Sequence, residues 1–273
     1  MRWTPGGESA DVEDRRGSSG FGFGGGAPIG IGGAVILLIL SLVFGKNFFA
    51  IFEGTPSNTA TAAGRPVEQS PAESREVQFV SFVLDDAQTT WEKILGDRYR
   101  HAKLVLFRDA IPSSCGFAQA ASGPFYCPVD EKVYLDLGFF DAMRDRFRAT
   151  GDFAQAYVIT HEIGHHVQKL LGIEKRARGD SVALELQADC FSGIWAHSTA
   201  QRNILESGDI EEGLNAAASV GDDRLQKMSG RAVNPDSFTH GSSRQRAAWF
   251  RRGFESGRIE DCDTFRAGSQ IRQ

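Results

Sequence analysis

The sequence predicts an α+β domain, a small sheet plus a helical half, preceded by one transmembrane helix. Three observations carry this. Two short β-prone runs, 103–107 (Lys-Leu-Val-Leu-Phe) and 132–136 (Lys-Val-Tyr-Leu-Asp), are bounded by turn residues. From Phe139 onward the apolar residues recur at helical spacing. A small sheet is followed by a helical half, as expected of an α+β domain. Residues 29–44 form sixteen positions without a charge.

Taken in order, residues 1–28 are rich in Gly, Ser and mixed charge and read as a disordered tail. The uncharged run alone would be about 24 Å long as a helix, short of roughly 30 Å of bilayer hydrocarbon. Extending it to residue 52 lets Lys46 snorkel to the headgroups and sets Phe48, Phe49 and Phe52 at the interface. The expectation is one membrane-spanning helix over 29–52, with the lipid bilayer as its partner. Residues 53–75, rich in Ala, Thr, Ser, Pro and Glu without apolar period, read as a flexible linker. A folded domain then covers 76–268.

Within it, apolar positions at Phe79, Val80, Phe82, Val83, Ala87, Trp91, Ile94 and Leu95 predict a helix over 77–95. The two strands follow, then helices over 139–149, 153–171, 181–198 and 242–254. The strand at 132–136 could serve as an edge for an extended peptide or as an interior strand of the sheet.

Charge narrows the function. Lys plus Arg number 30 against 35 Asp plus Glu, a net −5, which excludes a basic nucleic-acid binder. The four cysteines include no Cys-x-x-Cys pair, so metal chemistry would come from His and carboxylates. Cys115 and Cys127 flank a loop-like stretch whose closure would restrain it, and a Cys115–Cys127 disulfide would set the domain on an oxidising, extracytoplasmic side. Cys190 and Cys262 form a candidate second pair. Arg2, Arg15 and Arg16 before the span and Lys46, Arg65 and Arg75 after it leave orientation to the cysteines.

The chemistry concentrates at His161-Glu-Ile-Gly-His165, an instance of His-Glu-x-x-His inside an amphipathic helix. Ala156, Ile159, Ile163 and Val167 form its core stripe, while the i, i+4 spacing stacks His161 and His165 on another face where one metal can accept both. Glu162 lies one residue round, within reach of a water at the metal. With six His and sixteen Glu in the chain, about 0.008 chance occurrences of the pattern are expected. A catalytic zinc takes three protein ligands and leaves a position for water. Glu185-Leu-Gln-Ala-Asp189 on the next helix supplies carboxylates at i and i+4. Glu185 would be the third ligand, and Asp189 would accept from the other ring nitrogen of His161 and fix its tautomer. A solvated acidic face is the plainer explanation of this pair, but its surroundings are apolar. Two His and a carboxylate suit several first-row ions.

The chain resembles the bacterial neutral zinc metallopeptidase family. The resemblance rests on His161-Glu-Ile-Gly-His-His-Val-Gln168, Ser122-Gly-Pro-Phe-Tyr-Cys-Pro128, Glu185-Leu-Gln-Ala-Asp-Cys190, and His240-Gly-Ser-Ser243 followed by Arg246 and Trp249-Phe250. It extends to the N-terminal Met1-Arg-Trp3 and Val12-Glu-Asp-Arg-Arg16. It implies a gluzincin-like domain of a single-pass membrane protein that hydrolyses peptide or protein substrates, with Zn2+ as cofactor, His161, His165 and Glu185 as ligands and Glu162 as general base. In gluzincins a later His or Tyr often holds the oxyanion, which makes His240 a second catalytic candidate; a loop or helix-cap histidine is the alternative. Tyr157 and Tyr134 come next for that role. His166 points about 100° from His165 and reads as structural or as a support behind the ligands; His101 and His197 have no motif around them. The competing function is a zinc-containing, non-proteolytic membrane-tethered binding or scaffold protein.

Overall fold

The computed structural model describes residues 1–17, 70–119, 123–175, 177 and 179–265. The stretch 29–52 expected to span a membrane lies outside the described residues. Among those described, no helix is long and apolar enough to cross one.

The fold is α+β. The first helix, α1 (Pro71–Leu95), begins at a cap: the Ser70 side chain accepts from the Glu73 amide and Pro71 occupies the first turn, where a missing N–H costs nothing. The expected start at 77 is corrected to 71, because that capping pattern was read as linker composition. A mixed sheet follows in the order β1-β2-β6-β5, with β1 Val12–Asp14, β2 Lys103–Phe107, β5 Phe125–Cys127 and β6 Lys132–Asp136. β2 is parallel to β1 and β6, and β5 is antiparallel to β6. β6 therefore has a neighbour on each side, and is not an edge open to peptide. A separate hairpin joins β3 (Ala110–Ser113) to β4 (Gly116–Gln119).

The helical half comprises α2 (Gly138–Asp145), α3 (Asp152–Leu170), α4 (Ser181–Gln201), α5 (Asp209–Ser219), α6 (Asp222–Met228) and α7 (Ser243–Ser256). α5 and α6 were not foreseen. α2 stops earlier than expected, ahead of Arg148, whose φ of 53° lies outside helical geometry. One core links the sheet, α1 and the helices; Trp91, Trp195, Phe153, Phe191 and Phe250 are fully buried in it. The Trp91 ring meets Phe191 edge-on at 5.3 Å, and Phe153 stacks on Trp195 at 5.5 Å.

Residues 1–17 are not the tail their composition suggests. β1 lies beside β2, and the Trp3 ring packs at 5.2 Å on Phe79 of α1. Arg16 is buried against Asp14 and Glu73. Composition misses this because the segment is held by long-range polar pairing, not by an apolar period of its own.

Two disulfides, Cys115–Cys127 and Cys190–Cys262, tie the hairpin turn to β5 and α4 to the C-terminal segment. They point to an oxidising compartment. Non-reducing peptide mapping of protein from its native cell is expected to recover both pairs. Four alkylatable thiols after gentle lysis would place the domain in a reducing compartment instead. The Cys190–Cys262 bond closes 72 residues, and in the chain-entropy account its loss costs about 4 kcal/mol.

Candidate metal centre

Two helices bring the motif residues together, and their closeness depends on small side chains. A Cβ at Gly164, inside His161-Glu-Ile-Gly-His165, would stand 3.0 Å from the Ala188 carbonyl oxygen of α4. The glycine thus lets α3 and α4 approach until residues 161 and 165 face residue 185. α3 is also more enclosed than a one-sided amphipathic helix: His161, Glu162 and Gln168 are all buried along with its apolar stripe.

His161, His165 and Glu185 offer ligand atoms that all lie within 4.8 Å of one another. His161 Nε2 is 3.2 Å from Glu185 Oε2 and His165 Nε2 is 3.4 Å from Glu185 Oε1. Donors about 2.0 to 2.1 Å from a tetrahedral zinc stand roughly 3.3 Å apart. The donor set suits that ion, and each imidazole stands at about that separation from one oxygen of Glu185.

Each imidazole is oriented through its other nitrogen. His161 Nδ1 lies 2.9 Å from Asp189 Oδ1, and His165 Nδ1 lies 2.9 Å from Gln168 Oε1. Donation from both Nδ1 atoms leaves each Nε2 as the metal-facing nitrogen. Gln168 is itself fixed by donating to the Leu184 carbonyl at 2.7 Å. Arg246, on α7, reaches Asp189 with two bonds of 2.8 and 2.9 Å and donates to the Tyr157 hydroxyl at 3.1 Å. Tyr157 in turn donates to Asp189 at 2.5 Å.

The charges respond. Burial disfavours ionised Asp189, but Arg246 and His161 outweigh it and hold the carboxyl below its usual range. Burial likewise opposes a charged Glu185, and His165 and His161 overcome it, holding it well below. Burial also disfavours an imidazolium at His161, yet Asp189 and Glu185 raise its pKa to about 10. Glu162 differs: burial dominates over His161 and His165 and lifts its carboxyl above the usual range. A buried carboxyl of raised basicity suits proton transfer.

Residues 1–265 match the family model described as "Putative neutral zinc metallopeptidase". The chain belongs to this family. Its relatives include YpfJ of Escherichia coli K12, 48% identical over 97% of this chain and 99% of the relative, and Rv2575 of Mycobacterium tuberculosis H37Rv, 40% identical over 67% and 68%. Both are uncharacterized proteins. No solved structure matches the chain significantly.

In this family member the other candidates are not among the three converging donors. His240 is half-exposed, with Nδ1 3.2 Å from Asp222 Oδ1 and 2.9 Å from the Thr239 hydroxyl. Asp222 pins its loop by accepting from the amides of Thr239, His240 and Gly241 at 2.7, 2.7 and 3.0 Å. A Cβ on Gly241 would lie 3.3 Å from Val182 and 3.2 Å from Leu186, so the loop passes over the turn of α4 that carries Glu185. Tyr157 is engaged in the Asp189 cluster, and the Tyr134 hydroxyl donates to Asp130. His166 is buried, accepting from the Tyr126 hydroxyl at 2.9 Å and donating to the Arg100 carbonyl at 2.6 Å. It ties α3 to β5 and to the approach to β2.

Sequence reasoning assigned no role to Gln168 or Arg246. Gln168 was open to discovery, since i, i+3 from His165 places it within reach. Arg246 stood in a motif that carries the resemblance but had no spacing to reveal its role, because it lies 57 residues from Asp189 on a helix that opens Ser-Arg-Gln-Arg.

Proposed function

We propose that this protein is a zinc-dependent peptidase that hydrolyses peptide bonds in an extracytoplasmic compartment and associates with a membrane through residues 29–52. The observation that supports it most is the convergence of two imidazoles and a carboxylate whose ligand atoms lie within 4.8 Å of one another, with the buried Glu162 beside them. His161, His165 and Glu185 would hold the metal. When bound, zinc supplies Lewis acidity, which polarises a carbonyl and lowers the pKa of water from about 15.7 towards about 7.

The chain's own residues do the rest. Glu162 accepts the proton of the attacking water and returns it to the leaving amine, so no covalent intermediate is needed. Asp189 and Gln168 hold the two imidazoles with Nε2 forward. The His240 loop, pinned by Asp222 above the turn bearing Glu185, presents a side chain that can meet the developing oxyanion.

Metal analysis of full-length protein isolated without added ions is expected to find about one zinc per chain. Cleavage of an unfolded protein should stop with chelator and return with zinc. Bound zinc without cleavage would favour the scaffold reading. Glu185→Ala is expected to lose the metal, and near-stoichiometric zinc in that variant would remove Glu185 from the ligand set.

His240→Ala is expected to retain zinc and melting temperature while lowering kcat at least about 30-fold, below the 10² to 10³ typical of a lost oxyanion donor because water partly substitutes. KM should change less, since the bond strengthens only in the transition state. An unchanged kcat would reduce His240 to a loop anchor.

A further inference from the structure

The N-terminal segment is joined to the rest of the domain through its backbone and its buried polar groups. Val12, Glu13 and Asp14 pair in register with Leu104, Val105 and Leu106. The ladder continues on either side: the Leu104 amide donates to the Asp11 carbonyl and the Arg15 amide to the Leu106 carbonyl, both at 2.8 Å. Asp11 also accepts from Lys103 at 2.7 Å and from Gln88 at 2.8 Å. Gln88 is wholly buried in α1, and the other end of its amide receives the Ala102 N–H at 2.7 Å. Lys132 of β6 donates to Glu13 at 2.6 Å. Withdrawing residues 1–17 would strip a buried amide of a partner and expose the Trp3 contact on Phe79.

This arrangement bears on how the chain meets lipid. Two hydrogen-bonded strands lie on the same side of a bilayer, because the hydrocarbon offers no partner to the backbone groups of an open sheet. A single crossing between residues 17 and 70 would put β1 and β2 on opposite faces. Twenty-four residues, the number in 29–52, would reach about 36 Å if helical, a length for one passage of roughly 30 Å and not for two.

We infer that residues 1–17 and 70–265 share one compartment and one face of any bilayer the chain meets. This differs from the single-pass arrangement expected from hydropathy alone. With two disulfides in the domain, that face is the oxidising one.

Single cysteines placed at Glu8→Cys and Val129→Cys in the full-length chain test it. Both positions are exposed, Val129 by 71%, so neither change disturbs packing. Intact cells are treated with a membrane-impermeant maleimide, and a second sample is treated after lysis. The expected result is that both cysteines label in intact cells. Labelling of one in intact cells and of the other only after lysis would overturn the inference. Protection of both until lysis would preserve the shared face and overturn its assignment to the oxidising side. None of these measurements depends on zinc or on peptidase activity.

Discussion

Full-length protein carrying Glu162→Gln is expected to bind zinc near stoichiometrically and to hydrolyse peptide about 10²- to 10⁴-fold more slowly, the range a general base contributes. Glu162 follows His161 on α3 and is 7% exposed, and burial raises its carboxyl above the usual range. An amide of the same shape preserves the packing but cannot take up a proton. The three donors that converge are His161, His165 and Glu185, so the exchange leaves the proposed ligands untouched. Metal content together with single-turnover rates separates the two effects. Zinc loss equal to that in Glu185→Ala would make Glu162 part of the metal site and end its assignment as base.

The second large effect is expected at the ion pair beneath His161. Asp189 is fully buried and Arg246 is 3% exposed, joined by two short bonds. Truncating one partner leaves an uncompensated buried charge, so Asp189→Ala should cost about 3 to 5 kcal/mol of stability. It also removes the acceptor that orients His161, and zinc affinity should fall about 10- to 100-fold. Replacing both partners, Asp189→Leu with Arg246→Met, separates the roles. The apolar pair should recover much of the stability, as such exchanges often do, while zinc affinity stays low. Recovery of affinity along with stability would show that the pair acts only through the fold. Calorimetric melting and competition with a zinc chelator read the two quantities.

Legibility followed the range of the interactions. The placement of His161 and His165 on one helical face, and of Glu185 and Asp189 on another, could be read directly because i, i+4 spacing is a property of one helix and needs no partner. The α+β class was legible for a similar reason, since strand and helix periods appear within short windows. Other features had no local signal. β1 is three residues, Val-Glu-Asp, and exists only because β2 supplies its hydrogen bonds 92 positions away in register. The interior place of β6 depended on which strands chose it as neighbour.

What the sequence by itself determined was the set of donors and their helical spacing, the family that those motifs mark, and a cysteine pair suited to an oxidising compartment. Only the tertiary structure decided that residues 1–17 belong to the domain, that Gln168 orients His165, and that Arg246 sits under Asp189. The last depends on a close helix crossing: a Cβ at Gly253 of α7 would fall 1.9 Å from the Cys190 carbonyl oxygen of α4. That proximity turns an arginine from a polar helix start into a buried ion-pair partner. Spacing along one helix is set by backbone geometry, whereas the pairing of segments tens of residues apart is set by packing, which no short window of sequence contains.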